Sequence, residues 1–215
     1  MTRLLILVLI LALPACTTPE DRSVRFIVAG DSMMAWNGRD QNVAAHLQRL
    51  LGEPVGSVAR SLAQVDGGVG FLSIPNQIAG YAPEWIIVNG GANDLSQNCR
   101  CSECGRVLDR LVTSDGATGA IPTLVARLRS RGSKIVWVDY YTSPRYVGTT
   151  CLSTYQELEA RLSRMVSQMS GVTLVELGET FSPNDLSLFD RDRTHPSPKG
   201  SALIAQAVAN ILRQE

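Results

Sequence analysis

Short apolar runs, each closed by glycine or polar turn residues, alternate along this chain with segments whose apolar residues recur every three or four positions. The first run, Val24–Val28, stops at Ala29-Gly30-Asp31-Ser32 and predicts a buried strand ending in a tight turn. Val43, Ala44, Leu47, Leu50 and Leu51 then fall at helical spacing, and Gly52 stops them. A short strand is expected within 54–59. Asp66-Gly67-Gly68-Val69-Gly70 reads as a flexible loop without the Gly-Lys-Ser/Thr of a phosphate loop, and a helix is expected over 71–78. Trp85–Val88 predicts a second buried strand, ending at Asn89-Gly90-Gly91-Ala92-Asn93-Asp94. Two helical patterns follow a cysteine-containing loop. The second starts at Pro122, turns Leu124, Val125 and Leu128 inward, and closes at Arg131-Gly132. Lys134–Asp139 is the next strand. Thr154 and Glu157 stand at capping-box spacing before the stripe Tyr155, Leu158, Leu162, Met165, Val166 and Met169. Val172–Val175 is the last strand, and a helix opening near Pro198 carries Leu203, Ile204, Ala207, Val208 and Ile211 on one face.

Strands that alternate with helices imply an α/β fold: a mainly parallel sheet with helices on both faces. No internal repeat, low-complexity tract or linker interrupts 24–215, which is expected to form one domain. In such sheets ligands sit beyond the carboxyl ends of the strands.

Composition narrows the function. The chain has 215 residues, with 20 Lys+Arg against 20 Asp+Glu and no block of like charge, so no basic face marks it as a nucleic-acid binder. At the amino end Arg3 precedes an apolar run, Leu4–Leu13. It is too short for a bilayer span, which takes roughly 20 residues, but suits a secretory signal. The run closes with Leu13-Pro14-Ala15-Cys16, which resembles the lipobox of bacterial lipoproteins. The expectation is a signal peptide over 1–15, acylated Cys16 as first mature residue, and a polar tether over 17–23. Export to the periplasm or cell envelope follows, with membrane contact only through the lipid anchor. Cys99, Cys101, Cys104 and Cys151 remain. An oxidising compartment favours two disulfides of unspecified pairing, with a four-thiolate zinc site as the alternative.

Three turn segments carry candidate chemistry. Ser32 follows the first strand, Asn93 follows the Trp85–Val88 strand, and Asp192-Arg193-Thr194-His195 precedes the last helix. An Asp three residues before a His on a turn can reach its Nδ1 and leave Nε2 free to take a proton from a hydroxyl. An asparagine amide can donate to an oxyanion. Nucleophile, oriented base and amide donor at one sheet edge are the parts of acyl transfer. His46, on a helix, reads as a boundary residue. Tyr140, Tyr141 and Tyr146 follow the fourth strand and are candidate pocket residues. The low aromatic content, 6%, offers no obvious stacking platform or long acyl tunnel.

Gly30-Asp31-Ser32, Gly91-x-Asn93-Asp94 and Asp192-x-x-His195 resemble, in order and spacing, blocks I, III and V of the SGNH (GDSL-type) hydrolase superfamily, over roughly 24–211. The resemblance implies a flavodoxin-like α/β/α fold with a mainly parallel five-stranded sheet. It implies Ser32 as nucleophile, His195 as base, Asp192 orienting that base, and an oxyanion hole from the Ser32 N–H, Asn93 and a block II amide. Block II has no glycine in Val58-Ala59-Arg60-Ser61-Leu62-Ala63-Gln64. Ala63 is the positional match, with Gly67 or Gly68 standing in if that backbone needs positive φ. The implied activity is hydrolysis of small-acyl or O-acetyl carbohydrate esters without cofactor or metal. The alternatives are a lysophospholipase or thioesterase, an acyl transferase, or a non-catalytic envelope protein that binds glycan or a partner.

Overall fold

A computed structural model describes residues 24–178 and 180–214. The expected signal peptide, Cys16 and the 17–23 tether lie outside the described residues. Along the chain run β1 (Phe26–Ala29), α1 (Ser32–Ala35), α2 (Gly38–Gln41), α3 (Val43–Leu51), β2 (Val55–Ser57), α4 (Ile74–Gln77) and β3 (Trp85–Val88). Then come α5 (Ala92–Asn98), α6 (Gly105–Leu111), α7 (Ala120–Arg129), β4 (Lys134–Val138), α8 (Thr150–Ser167), β5 (Val172–Val175) and α9 (Pro198–Leu212). The five strands form one parallel sheet in the order β2-β1-β3-β4-β5. This is the flavodoxin-like order, and the chain reverses its winding between β1 and β3, where a crevice opens at the carboxyl ends.

The apolar strands are buried on both faces, and alternate residues serve different cores. Phe26, Val28, Ile87, Val136 and Val138 pack with Leu47 of α3 and Ile204 and Val208 of α9. Ile27, Ile86, Val88, Ile135 and Trp137 pack with residues of α6, α7 and α8, among them Leu111, Leu124 and Leu158. The expected α/β/α layering is therefore present. Among the described residues, no helix is long and apolar enough to cross a membrane.

Two local expectations change. The helix expected over 71–78 is a 3-10 turn, Gly70–Leu72, followed by the single helical turn α4, because the glycine-rich loop folds back onto Gln64. Thr154 and Glu157 do not cap α8. The helix starts five residues earlier, after Thr149. Thr154 Oγ1 donates to the Thr150 carbonyl at 3.1 Å, and Glu157 accepts from Arg161 Nε at 2.7 Å. By contrast, α9 begins at Pro198 as expected, with Ser197 Oγ accepting from the Gly200 N–H at 3.1 Å.

The cysteines form two disulfides, Cys99–Cys104 and Cys101–Cys151. Sulfurs bonded in pairs are not free as thiolate ligands, so the zinc alternative at these four residues falls. The second bridge spans 50 residues and fastens the loop after α5 to the start of α8. The chain-entropy argument for a loop of that length gives about 4 kcal/mol. The Cys101→Ser/Cys151→Ser double variant is expected to lose stability of that order in urea unfolding, and the difference from the wild type should vanish when both are fully reduced.

Candidate active site

The site is built on the carboxyl ends of β1, β3 and β4. Gly30 follows β1 with φ 128°, and a Cβ there would lie 1.9 Å from Asn89 Oδ1, so only glycine fits. Asp31 then caps α1. Its Oδ1 accepts from the Met33 N–H at 2.9 Å and Asn89 Nδ2 at 2.8 Å, and its Oδ2 accepts from the Tyr140 hydroxyl at 2.5 Å. Asn89 Oδ1 in return accepts the Asp31 N–H at 3.0 Å. Ser32 is thereby fixed as the first residue of α1, where a backbone N–H has no partner inside the helix.

The Asp192–His195 turn meets Ser32 from the far end of the chain. Asp192 Oδ1 accepts the N–H groups of Thr194 and His195 at 2.9 and 3.0 Å, and Oδ2 lies 2.5 Å from His195 Nδ1. Nε2 of the same ring lies 2.9 Å from Ser32 Oγ. Burial pushes the Asp192 carboxyl up, but the amide and imidazole hydrogen bonds outweigh it and hold the group below the usual carboxylate range. Arg193, at φ 57°, lets the turn close that tightly. The Tyr141 hydroxyl donates to the Thr194 carbonyl at 2.9 Å and the Ser143 hydroxyl to the Arg193 carbonyl at 2.6 Å, so the β4 loop clamps it.

Trp36 stacks on the imidazole with ring centroids 3.8 Å apart and planes 8° from parallel, and its Nε1 donates to Asp190 Oδ2 at 2.7 Å. Sequence reading passed over this residue. The available signal was its position four residues after Ser32, one helical turn on.

Asn93 also lines the cavity. Its Nδ2 donates one hydrogen to the Ala63 carbonyl at 3.0 Å, which leaves the second free. The positional match at Ala63 does not hold as a donor. Ala63 is fully buried, is not part of the cavity wall, and its N–H is directed to the Arg60 carbonyl at 3.3 Å. Leu62, one residue earlier, lines the cavity and sits at φ 67°. A leucine in the left-handed region is strained, and such strain collects at functional sites. Gly67 and Gly68 pack against Gln64 and Leu72 instead of the cavity. His46 is half-buried on α3 and does not line the cavity.

The cavity measures about 430 Å³, within the range of small-molecule sites. Four of the five tyrosines line it: Tyr140, Tyr141, Tyr146 and Tyr155. The low aromatic content understated the site because its rings are concentrated there.

A family model described as the GDSL-like lipase/acylhydrolase family matches residues 28–203. The chain belongs to this family. As a GDSL-type member it is a serine ester hydrolase of the SGNH class. No curated protein sequence matches it. Among solved structures it is similar to a family 3 carbohydrate esterase of Clostridium thermocellum, at 18% identity and TM-score 0.62 over 89% of this chain and 98% of that one. It is also similar to TesA, at 18% identity and TM-score 0.63 over 88% and 98%. A third is LAE5, an alpha/beta hydrolase enzyme from the metagenome of Lake Arreo, Spain, at 16% identity and TM-score 0.66 over 87% and 94%. At these identities the structural likeness shows the SGNH fold.

One buried acid stands behind the site. Asp94 accepts the N–H groups of Val65 and Asp66 at 3.0 and 2.7 Å, tying the block II loop to α5. Burial pushes its pKa from 3.8 to about 6 against those hydrogen bonds. The folded state thus takes up this proton more readily than the unfolded chain. The stabilising contribution is full below pH 3.8 and is lost as pH rises through about 6. The Asp94→Asn variant cannot ionise. Urea unfolding across that window is expected to show wild-type stability declining relative to the variant, by roughly 2–3 kcal/mol in all.

Proposed function

We propose that this GDSL-type hydrolase cleaves small-acyl carboxylic esters, O-acetyl groups on carbohydrate foremost, through an acyl-enzyme on Ser32. The observation that carries the reading is the line from Asp192 Oδ2 to His195 Nδ1, and from Nε2 to Ser32 Oγ at 2.9 Å. In this reading His195 takes the Ser32 proton as Oγ attacks the ester carbonyl, and Asp192 holds the ring and stabilises the imidazolium. The oxyanion is received by the N–H of Ser32, the free Asn93 Nδ2 hydrogen and the Leu62 N–H. One such donor is worth roughly 3–4 kcal/mol in the transition state. His195 protonates the departing alcohol. Water then attacks the acyl-enzyme by the same route, and the acid leaves.

The tyrosine-lined cavity supports a short acyl group: it measures about 430 Å³, and Tyr155 packs against Tyr140 and Tyr146 in its lining. The carbohydrate preference draws on the carbohydrate esterase of Clostridium thermocellum among the similar folds. A lipid-anchored location in the cell envelope goes with the reading, as the Cys16 segment suggests.

Ser32→Ala is expected to remove at least roughly 10³-fold of kcat on p-nitrophenyl acetate and all labelling by a fluorophosphonate probe. Unchanged turnover would remove Ser32 from the mechanism. The indole face beneath the imidazole favours the charge that develops on His195, a cation–π effect of roughly 0.5–1 kcal/mol. Trp36→Leu is therefore expected to lower kcat by roughly two- to fivefold with KM little changed. Trp36→Phe, which keeps a ring but loses the bond to Asp190, should recover part of that loss.

A further inference from the structure

A second cleft, of about 1110 Å³, runs along the β2 edge of the sheet. Its wall carries Arg39, Arg49 and Arg60 against a single acid, Asp40. The chain as a whole is balanced, 20 cations to 20 acids, so this excess is local. Two of the guanidinium groups are held in place by backbone carbonyls: Arg60 Nη1 donates to Ala59 at 2.8 Å and Arg49 Nη1 to Asp40 at 3.0 Å. Each keeps its remaining donors for the cleft. Among the described residues no carboxylate lies within ion-pair distance of Arg39, Arg49 or Arg60.

The rest of the wall suits a hydrated, extended ligand. Gln48 and Asn76 present amides, and Phe71, 74% exposed, and Tyr81 present rings. The cleft also abuts the catalytic cavity. Ala35 and Arg60 line the cleft, while their chain neighbours Trp36 and Ser61 line the cavity. An alcohol leaving Ser32 on the side away from the tyrosines therefore departs toward the arginines.

We propose that this cleft binds the leaving-group side of the substrate, and that the substrate is a polyanionic glycan bearing carboxylate or phosphate groups along its chain. The proposal rests on the esterase reading and names its substrate class. Arginine forks match both anions bidentately, and an exposed phenylalanine ring offers a face for a pyranose.

The test compares acetate release from O-acetylated polygalacturonate and from O-acetylated xylan, with p-nitrophenyl acetate as a reporter that does not reach the cleft. The wild type is expected to show the lower KM on the polygalacturonate, with the advantage shrinking as ionic strength rises. Arg60→Gln and the Arg39→Gln/Arg49→Gln pair are expected to raise that KM roughly tenfold, leaving xylan and p-nitrophenyl acetate unaffected. Deacylated polygalacturonate and a glycerol-phosphate polymer are then titrated as competitors, and inhibition by one alone names the anion. Equal treatment of the two acetylated polymers, an unchanged KM in both variants, or binding of neither polyanion overturns the proposal. Loss of p-nitrophenyl acetate turnover in the wild type would instead overturn the esterase reading.

Discussion

A buried carboxylate orders the catalytic rim. Asp31 is 2% exposed, and its oxygens are satisfied by three donors from three parts of the chain: the first turn of α1, Asn89 beyond β3, and Tyr140 beyond β4. An unsatisfied buried charge costs several kcal/mol, so these ends are held in one arrangement. Parallel pairing had already placed them side by side, with Ala29 opposite Val88 and Val88 opposite Trp137. Ser32 inherits its position from that bracket. Tyr140 extends it further, since its oxygen also accepts the Ala92 N–H at 3.1 Å and so fixes the start of α5.

The second support runs between α5 and the block II loop. Asn93 donates to the Ala63 carbonyl, Gln64 Nε2 returns a bond to the Asn93 carbonyl at 3.3 Å, and Asp94 takes two amides from Val65 and Asp66. The segments that carry Asn93 and Leu62, the donors of the proposed oxyanion hole, are thus joined to each other as well as to the sheet. An oxyanion site assembled from separate loops needs such bracing, because its value lies in donors that do not reorganise during reaction. The strain at Leu62 is tolerable in the same frame: the turn from Arg60 to Ala63 is closed on both sides by hydrogen bonds.

The disulfides and aromatic residues shape the tyrosine-lined part of the cavity. Cys101–Cys151 fastens the start of α8, and α8 carries Tyr155 against Tyr140 and Tyr146. Trp36, Ser61 and Leu62 also line the cavity, and the arginine cleft begins at their chain neighbours Ala35 and Arg60. Aromatic rings therefore line the cavity at Ser32, and arginines line the cleft beside it. On the proposed reading the cavity takes a small acyl part and the cleft a large, charged alcohol part.

Much of this was legible in the chain. Apolar runs of strand length, the alternation with helical stripes, and turn residues at the strand ends were enough for the layered parallel sheet, because those signals are local and periodic. Ser32, Asn93, Asp192 and His195 stood out for the same reason: each lies on a turn whose place at the sheet edge follows from the order of elements. Tertiary structure decided the rest. Which cysteines pair, why Leu62 and not Ala63 faces the cavity, that Trp36 lies flat on His195, and that four tyrosines line one cavity all depend on distances between segments far apart in sequence. Local pattern fixes which way a residue points from its own element. Only the packing of elements against one another fixes what it meets there.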